Sequence, residues 1–159
     1  MLFIPQVCME EIKITDLHES TIDSIKKTSE FFVYEEGCCH RNSLELYKGD
    51  VIDTLFCKIG YTITSRSIVE GFAVVIDDSI VFPHIWNSFS IKKGDKTSEE
   101  YIDISKSLFF NDKSVRYFKT KSYDVDTLER NNENRSVFSV ETKEMAQDYA
   151  TKNELLYKE

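Results

Sequence analysis

The sequence predicts one α+β domain in which helices come first, an antiparallel meander of strands follows, and a further helix comes last. The first observation is a change of pattern at Gly60: apolar residues recur at helical spacing before it, and β-branched residues dominate after it. The second is a turn signal at Asp77-Asp78 between two long β-rich runs. The chain has 159 residues, 41% of them apolar, which is enough for one core. We therefore expect a single domain over residues 1–159.

Two helices are predicted before Gly60, the first from Ser20 to about Phe32. The second begins beside a pair of cysteines, because Gly37 interrupts the chain and Cys38 and Cys39 follow. An apolar stripe at helical spacing then runs along Leu44, Tyr47, Val51 and Leu55. This places Cys39 at a helix N-terminus, where unpaired N–H groups and the helix dipole favour a thiolate over a thiol. Such a thiolate is a candidate nucleophile.

A meander of strands is predicted after the helices. The predicted strands cover residues 68–76, 80–91, 101–105 and 115–118. Pro83 is expected at an edge or a bulge, because it cannot donate to a sheet ladder. Alternation along the second strand puts His84 and Trp86 on one face of the sheet and Asn87 on the other. Thr142 has the pattern of a cap for a final helix at about 140–157.

Three polar residues fall where catalysis would need them. Cys39 opens a helix, His84 lies on the second predicted strand and Asp103 on the third. A nucleophilic thiol requires a base within hydrogen-bond reach, and the base needs a carboxylate on its other ring nitrogen. Neighbouring antiparallel strands can supply that pair, since cross-strand neighbours lie about 5 Å apart. We predict that Asp103 accepts a hydrogen bond from one ring nitrogen of His84 and that the other nitrogen faces Cys39.

Four short motifs occur in order between residues 37 and 105. They are Cys39 with Asn42, Val69-Glu70-Gly71, His84-Ile85-Trp86-Asn87 and Ile102-Asp103. Their order and spacing resemble those of the papain-like superfamily, above all its transglutaminase-core and NlpC/P60-type branches and small uncharacterised phage and bacterial proteins. The resemblance implies a papain-like core at about residues 15–122, in which a nucleophile helix packs on an antiparallel sheet.

The resemblance also implies roles for particular residues. Cys39 would be the nucleophile, His84 the base and Asp103 the orienting acid of a Cys-His-Asp triad. Trp86 and Asn87 are candidate substrate contacts, with a core or pocket wall as the alternative for Trp86 and a bridge between loops as the alternative for Asn87. The family often places a Gln before the Cys as an oxyanion donor. Here the only glutamines are Gln6 and Gln147, neither close before Cys39, so the oxyanion hole would consist of the Cys39 N–H and an unidentified donor.

These observations predict a thiol-dependent amide-bond hydrolase or acyltransferase that works through a thioester intermediate. Its substrate would be a protein, a peptide or a small amide, and amidase, peptidase, deamidase and transglutaminase-like activities all remain open. The alternative is a protein-binding module that uses the same fold with an inactive site, which the missing Gln favours. Neither function requires a cofactor.

Other residues have competing interpretations. Cys38 is the rival nucleophile, but it lies one residue off the spacing to Asn42. Cys8 and Cys57 are expected to be small buried apolar side chains. Glu70 is unusual in an apolar strand, since a buried carboxylate needs a partner. We expect it to be structural and paired with an arginine such as Arg41, with a pocket acid as the alternative.

Charge and cysteine content limit the possible partners and the compartment. The 20 basic and 28 acidic residues give a formal net charge of −8, which argues against general nucleic-acid binding. No apolar run approaches the length of a membrane span, and the N-terminus is a poor signal peptide. The four cysteines form no C-x-x-C pair, so we expect free thiols in a reducing cytoplasm. We expect no metal site, because adjacent ligands such as Cys38 and Cys39 diverge.

Overall fold

A six-stranded, mostly antiparallel sheet and five helices make up the part of the chain that the structure describes. The structure is a computed structural model that describes residues 9–26, 34, 36–49, 51–123 and 138–159. The helices are α1 (Glu19–Lys26), α2 (Cys39–Lys48), α3 (Val51–Lys58), α4 (Ile104–Phe109) and α5 (Val140–Lys152). The strands are β1 (Glu10–Ile12), β2 (Thr62–Val75), β3 (Ile80–Lys93), β4 (Lys96–Ile102), β5 (Val115–Tyr123) and β6 (Leu156–Tyr157). The predicted α+β class is confirmed.

The strand order is β1-β5-β2-β3-β4, and β6 adds to β3 in parallel. The long β2–β3 hairpin closes at the Val75–Ile80 pair, as the turn signal predicted. The two edges of the sheet also meet, because Ile14 forms a bridge with Tyr101 and the Thr15 N–H donates to the Tyr101 carbonyl at 2.7 Å. The sheet therefore curls round and encloses one of its faces, which we call the inner face.

Apolar residues of the strands fill the inner face, as far as the described ranges show. Its buried cluster consists of Val69, Ala73, Trp86 and Tyr117. Gly71 makes room for this cluster, since a Cβ there would lie 2.0 Å from the Phe118 carbonyl oxygen and 2.8 Å from Cη2 of Trp86. Only glycine permits so close an approach of the Trp86 ring to the β2 backbone.

The helices pack on the outer face of the sheet. Leu46 and Ile52, from α2 and α3, join Phe89 and Ile102 in the largest core cluster. On the other half of the sheet, α5 packs its small residues Ala146 and Ala150 against Phe72 and Phe118. Helix α2, which begins at Cys39, is therefore fixed against β3 by packing.

The predicted bounds of the third strand are wrong at both ends. It was expected at residues 101–105, whereas β4 runs from Lys96 to Ile102. Asp103 instead caps α4, where its side chain accepts a hydrogen bond from the Lys106 N–H at 3.2 Å. A carboxylate at this position satisfies an unpaired N–H of the first turn, so the chain continues as a helix.

The helix boundaries also differ in part from those predicted. The last helix is capped by Ser139, whose Oγ accepts from the Thr142 N–H at 3.3 Å, so Thr142 lies inside the helix. That helix ends at Lys152, and Leu156–Tyr157 is a strand, so the predicted range of 140–157 is too long. The first helix begins at Glu19, and its predicted extension beyond residue 26 lies outside the described residues.

Candidate active site

Cys39 is the first residue of α2, as the sequence predicted. Gly37 has a φ of +79°, which an L side chain rarely adopts and which turns the chain into the helix. Cys38 occupies the N-cap, and its carbonyl accepts from the Asn42 N–H at 2.9 Å. The Cys39 side chain is half-buried and packs against a small cluster around Ile85. The thiol therefore lies at the positive end of a helix and beside β3.

His84 lies on β3 beyond the end of the β4 pairing, which stops at the Asn87–Ile102 pair. The His84 ring is buried, and its Nε2 lies 2.7 Å from Oδ2 of Asp103. The Cys39 thiol lies close enough to contribute to the raised pKa of this ring, and Nδ1 is the ring nitrogen left to face it. The predicted contact between His84 and Asp103 is therefore present, although Asp103 makes it from a helix cap and not from a strand.

Asp103 is held by three donors inside the fold. Its Oδ2 accepts from His84 and from the Tyr117 hydroxyl, the latter at 2.8 Å, and its Oδ1 accepts from the Lys106 N–H. Burial alone would raise the pKa of this carboxyl, but the charge and hydrogen bond of His84, then the Tyr117 and Lys106 bonds, lower it. Asp103 is therefore an anion at neutral pH.

The protonation state of His84 follows from the same contacts. Burial disfavours the imidazolium, but the charge and hydrogen bond of Asp103, followed by those of Cys39, outweigh it and raise the pKa of His84 to about 10. His84 is therefore charged at neutral pH, between a carboxylate and a thiol.

Tyr117 is a site residue that the sequence reasoning missed. Its hydroxyl donates to Asp103, and the ring is 2% exposed in the inner-face cluster. Burial, followed by the charge and hydrogen bond of Asp103, raises the pKa of Tyr117, so that it remains a donor. The only signal in the sequence was its place on the predicted fourth strand, which does not reveal a contact with Asp103.

A second histidine, His40, follows Cys39 directly. Burial and then the positive charge of His84 lower the pKa of His40 to about 4, so its ring is neutral at physiological pH. The ring centroid lies 5.5 Å from that of Phe138. Its Nε2 is buried and has no hydrogen-bond partner among the described residues. His40 therefore acts as a neutral aromatic side chain beside Cys39, and His84 carries the charge.

A groove of about 550 Å³ reaches Cys39 and His84. The apolar residues of its lining are Val75, Ile80, Phe82, Pro83, Phe110 and Phe138. The charged residues of its lining are Glu36, Asp78, Lys113, Lys158 and Glu159. The lining includes no Asn or Gln side chain among the described residues, so a second oxyanion donor is not identified there.

The two predicted substrate contacts, Trp86 and Asn87, are buried in the core and do not face the groove. The Trp86 ring belongs to the inner-face cluster, with its centroid 6.0 Å from that of His84. Asn87 donates from Nδ2 to the Ser43 carbonyl at 2.9 Å, which ties β3 to α2. Both residues therefore support the elements that carry the site.

Glu70 is buried, as expected, and its partners are hydroxyls and a backbone amide. It accepts from the Tyr123 hydroxyl at 2.7 Å and the Thr142 hydroxyl at 2.8 Å. Ser139 donates to it twice, from its N–H at 2.8 Å and its Oγ at 2.9 Å. These bonds make Glu70 a structural anchor for the start of α5, and they take the place of the expected arginine partner.

The remaining cysteines are not alike. Cys57 is exposed, so the expectation that it is a buried small side chain is wrong. Its position in the last turn of α3 leaves the thiol in solvent. Cys8 lies outside the described residues. Cys57 therefore provides an exposed reference thiol within the same chain.

Three general findings complete the description. In the described ranges, no group of three or more His, Cys, Asp or Glu side chains is arranged to hold a metal ion. None of the helices there combines the length and the apolar character needed to cross a membrane. Comparisons with protein-family models, with curated proteins and with solved structures found no match.

Proposed function

We propose that this chain is a thiol-dependent amide-bond hydrolase or acyltransferase with a papain-like Cys-His-Asp triad. The observation that carries the proposal is that the buried His84 ring hydrogen-bonds with Asp103 at 2.7 Å and lies beside Cys39, where both line the wall of one groove. The packing of α2 on β3 supports a papain-like core, because it delivers a helix-start thiol to a histidine on the sheet.

The proposed reaction starts from a thiolate and an imidazolium. The Cys39 sulfur attacks the carbonyl carbon of an amide, and the negative charge moves to the carbonyl oxygen, where the Cys39 N–H can donate to it. His84 then gives its proton to the leaving amine as the C–N bond breaks, which leaves a thioester on Cys39.

The thioester is resolved by the second half of the same cycle. His84, now neutral, takes a proton from water as the oxygen attacks the thioester, and the carboxylic acid leaves as the C–S bond breaks. An amine in place of water gives acyl transfer. Asp103 holds the ring in place and stabilises its charged form in both halves.

The test is selective alkylation by iodoacetamide at about pH 6, where an ordinary thiol is almost fully protonated. We expect Cys39 to react faster than the exposed Cys57, because only Cys39 adjoins a charged imidazole. Cys39→Ala should remove the fast phase and melt normally, since a half-buried thiol contributes little packing. Cys38→Ala, the matched control, should keep the fast phase.

A protein-binding module on the same fold is the second candidate. The observation that favours it is the groove lining, which offers no side-chain amide for an oxyanion among the described residues. This candidate predicts that the cysteines react equally slowly. Equal rates at Cys39 and Cys57 would therefore reject the enzyme and leave the binding module.

A further inference from the structure

The groove beside Cys39 has a strongly apolar side. Phe138 contributes to it and, like Cys39, packs against the buried cluster of Ile68 and Ile85, so its ring and the thiol line the same part of the groove beside the sheet. Phe82 and Phe110 add two more aromatic walls. An acyl group that reaches the Cys39 sulfur must therefore place its neighbouring atoms against aromatic surface, where apolar area gains most from leaving water.

Phe138 is fixed in this position by a buried charge. The peptide N–H that follows it, that of Ser139, donates to Oε1 of Glu70, and the Ser139 hydroxyl donates to Oε2. Glu70 itself is held on β2 and is fully buried, and the Tyr123 and Thr142 hydroxyls fill its remaining capacity. The carboxylate also lies at the N-terminus of α5, where the helix dipole favours a negative charge.

We propose that Phe138, held in place by the Glu70 carboxylate, selects substrates that carry an apolar side chain next to the reacting carbonyl. The proposal rests on the proposed function, because it needs Cys39 as the nucleophile. Phe138 contacts the acyl group, whereas Glu70 is a positioning residue that acts through the Phe138–Ser139 peptide. The substrate class is thus an amide whose acyl part bears an aromatic or large aliphatic group.

The test compares three chloromethyl ketones, those of N-acetyl-phenylalanine, N-acetyl-glycine and N-acetyl-lysine. Each alkylates a thiolate, so that an S–C bond forms and chloride leaves. Mass spectrometry follows modification of Cys39, and each rate is divided by the rate of the same reagent with glutathione. We expect the phenylalanyl reagent to react about tenfold faster than the glycyl one, which is typical of filling an apolar pocket. A ratio near one, or a lysyl reagent that is the fastest, would overturn the proposal.

Variants then test the two residues separately. Phe138→Ala should bring the phenylalanyl-to-glycyl ratio close to one, and Glu70→Gln should lower it, because the amide N–H₂ cannot accept from the hydroxyls that Oε2 binds, that of Ser139 among them. Ala150→Gly is the matched control, since it destabilises α5 without touching Glu70. If Glu70→Gln does not fold, Tyr123→Phe takes its place, because it removes one donor from the carboxylate.

The outcomes separate the inference from the proposed function. A ratio that Phe138→Ala leaves unchanged contradicts the role of Phe138. A folded Glu70 or Tyr123 variant with the wild-type ratio, or an Ala150→Gly chain with an equal loss, contradicts the role of Glu70. If Cys39 outpaces Cys57 with iodoacetamide but shows no side-chain preference, the inference alone fails. If Cys39 is no faster than Cys57 with any reagent, the proposed function fails as well.

Discussion

Glu70 and Asp103 are two carboxylates that the fold buries almost completely, and each is surrounded by the same kinds of groups. Each accepts a tyrosine hydroxyl, from Tyr123 at 2.7 Å in one case and from Tyr117 at 2.8 Å in the other. Each also serves the start of a helix, since Glu70 binds the first residues of α5 and Asp103 caps α4. The two carboxylates are therefore alike in their burial, in their tyrosine donor and in their position at the start of a helix.

The two carboxylates differ in the groups that occupy their remaining hydrogen-bonding positions. Glu70 fills its remaining capacity with the hydroxyls of Ser139 and Thr142, which do not titrate near neutral pH. Asp103 instead accepts a hydrogen bond from the ring of His84, a titratable group that is charged at neutral pH and lies beside a thiol. A buried carboxylate is therefore weak evidence of chemistry by itself, and the titratable partner distinguishes a reactive site from an anchor.

The largest expected effect separates the two sites by reactivity. His84→Ala should lower the rate of Cys39 alkylation at about pH 6 by about a hundredfold, because the charge that favours the thiolate is gone. Glu70→Gln should cause a much smaller fall, since Glu70 does not contact Cys39. Mass-resolved alkylation with iodoacetamide measures both rates, and thermal melts verify folding. Equal losses in the two variants would remove the distinction between them.

The next effect is on stability and concerns the anchor. Glu70→Gln should cost about 2 kcal/mol of unfolding free energy, because its buried amide N–H₂ takes the place of Oε2, which accepts from the hydroxyls of Tyr123, Ser139 and Thr142. Urea denaturation followed by far-UV circular dichroism gives this value. A loss below about 0.5 kcal/mol, the range of an ordinary surface substitution, would show that the hydrogen bonds to Glu70 do not anchor α5.

A smaller effect on the Cys39 alkylation rate is expected from a change at Asp103. Asp103→Asn should lower the Cys39 alkylation rate at about pH 6 by about tenfold, since the ring remains but loses the charge that raises its pKa. The loss should be milder than that of His84→Ala. An Asp103→Asn rate equal to that of the wild type would show that His84 does not depend on Asp103.

The same variant has a predictable pH dependence. The pKa of His84 is raised from 6.5 to about 10, so its contribution to stability is complete below about 6.5 and is lost as the pH rises through about 10. The pKa of Asp103 is lowered from 3.8, so its contribution is present above that value and is lost as the pH falls further. The stability difference between the wild type and Asp103→Asn should therefore be greatest between pH 3.8 and 6.5 and should narrow toward pH 10. Urea titrations across this range measure it, and a constant difference would contradict the coupling.

The smallest expected effects are those of removing the hydroxyl groups of Tyr117 and Tyr123. Tyr117→Phe and Tyr123→Phe should each cost about 1 kcal/mol, the usual value of one hydrogen bond. Only Tyr117→Phe should change the pH profile of Cys39 alkylation. It removes a donor that lowers the pKa of Asp103, so the acid limb should move to higher pH. A shift of that limb in Tyr123→Phe as well would mean that the two carboxylates are coupled.

Local patterns predicted a large part of the fold and of the site. Helical spacing after Gly37 placed Cys39 at the start of α2, and the turn at Asp77-Asp78 gave the central hairpin. Both signals lie within a few residues of the feature they predict. The contact between His84 and Asp103 was also predicted, from the pairing of two neighbouring strands, although Asp103 makes it from the cap of α4.

Other features depend on pairing that the sequence does not show. Alternation around Asp103 fits a strand, and only the capped turn reveals a helix there. Trp86 is buried because Gly71, on a different strand, leaves room for its ring. Tyr117 joins the site because β5 pairs with β2, which no local pattern indicates. The residues that support Cys39, His84 and Asp103 were therefore harder to predict than the positions of these three residues.

The closure of the sheet has a consequence for the order of folding. It joins segments far apart in the chain, since β1 pairs Ile12 with Tyr117 and the edge bridge pairs Ile14 with Tyr101. Contacts of such large sequence separation form slowly, because a long loop must close first. Tyr117 reaches Asp103 only when β5 has paired, so Cys39 should gain its full reactivity after the helices have formed. Pulsed alkylation during refolding would show a helical signal that precedes fast labelling of Cys39, and a nascent chain would thus carry an unreactive thiol until its last core strand is in place.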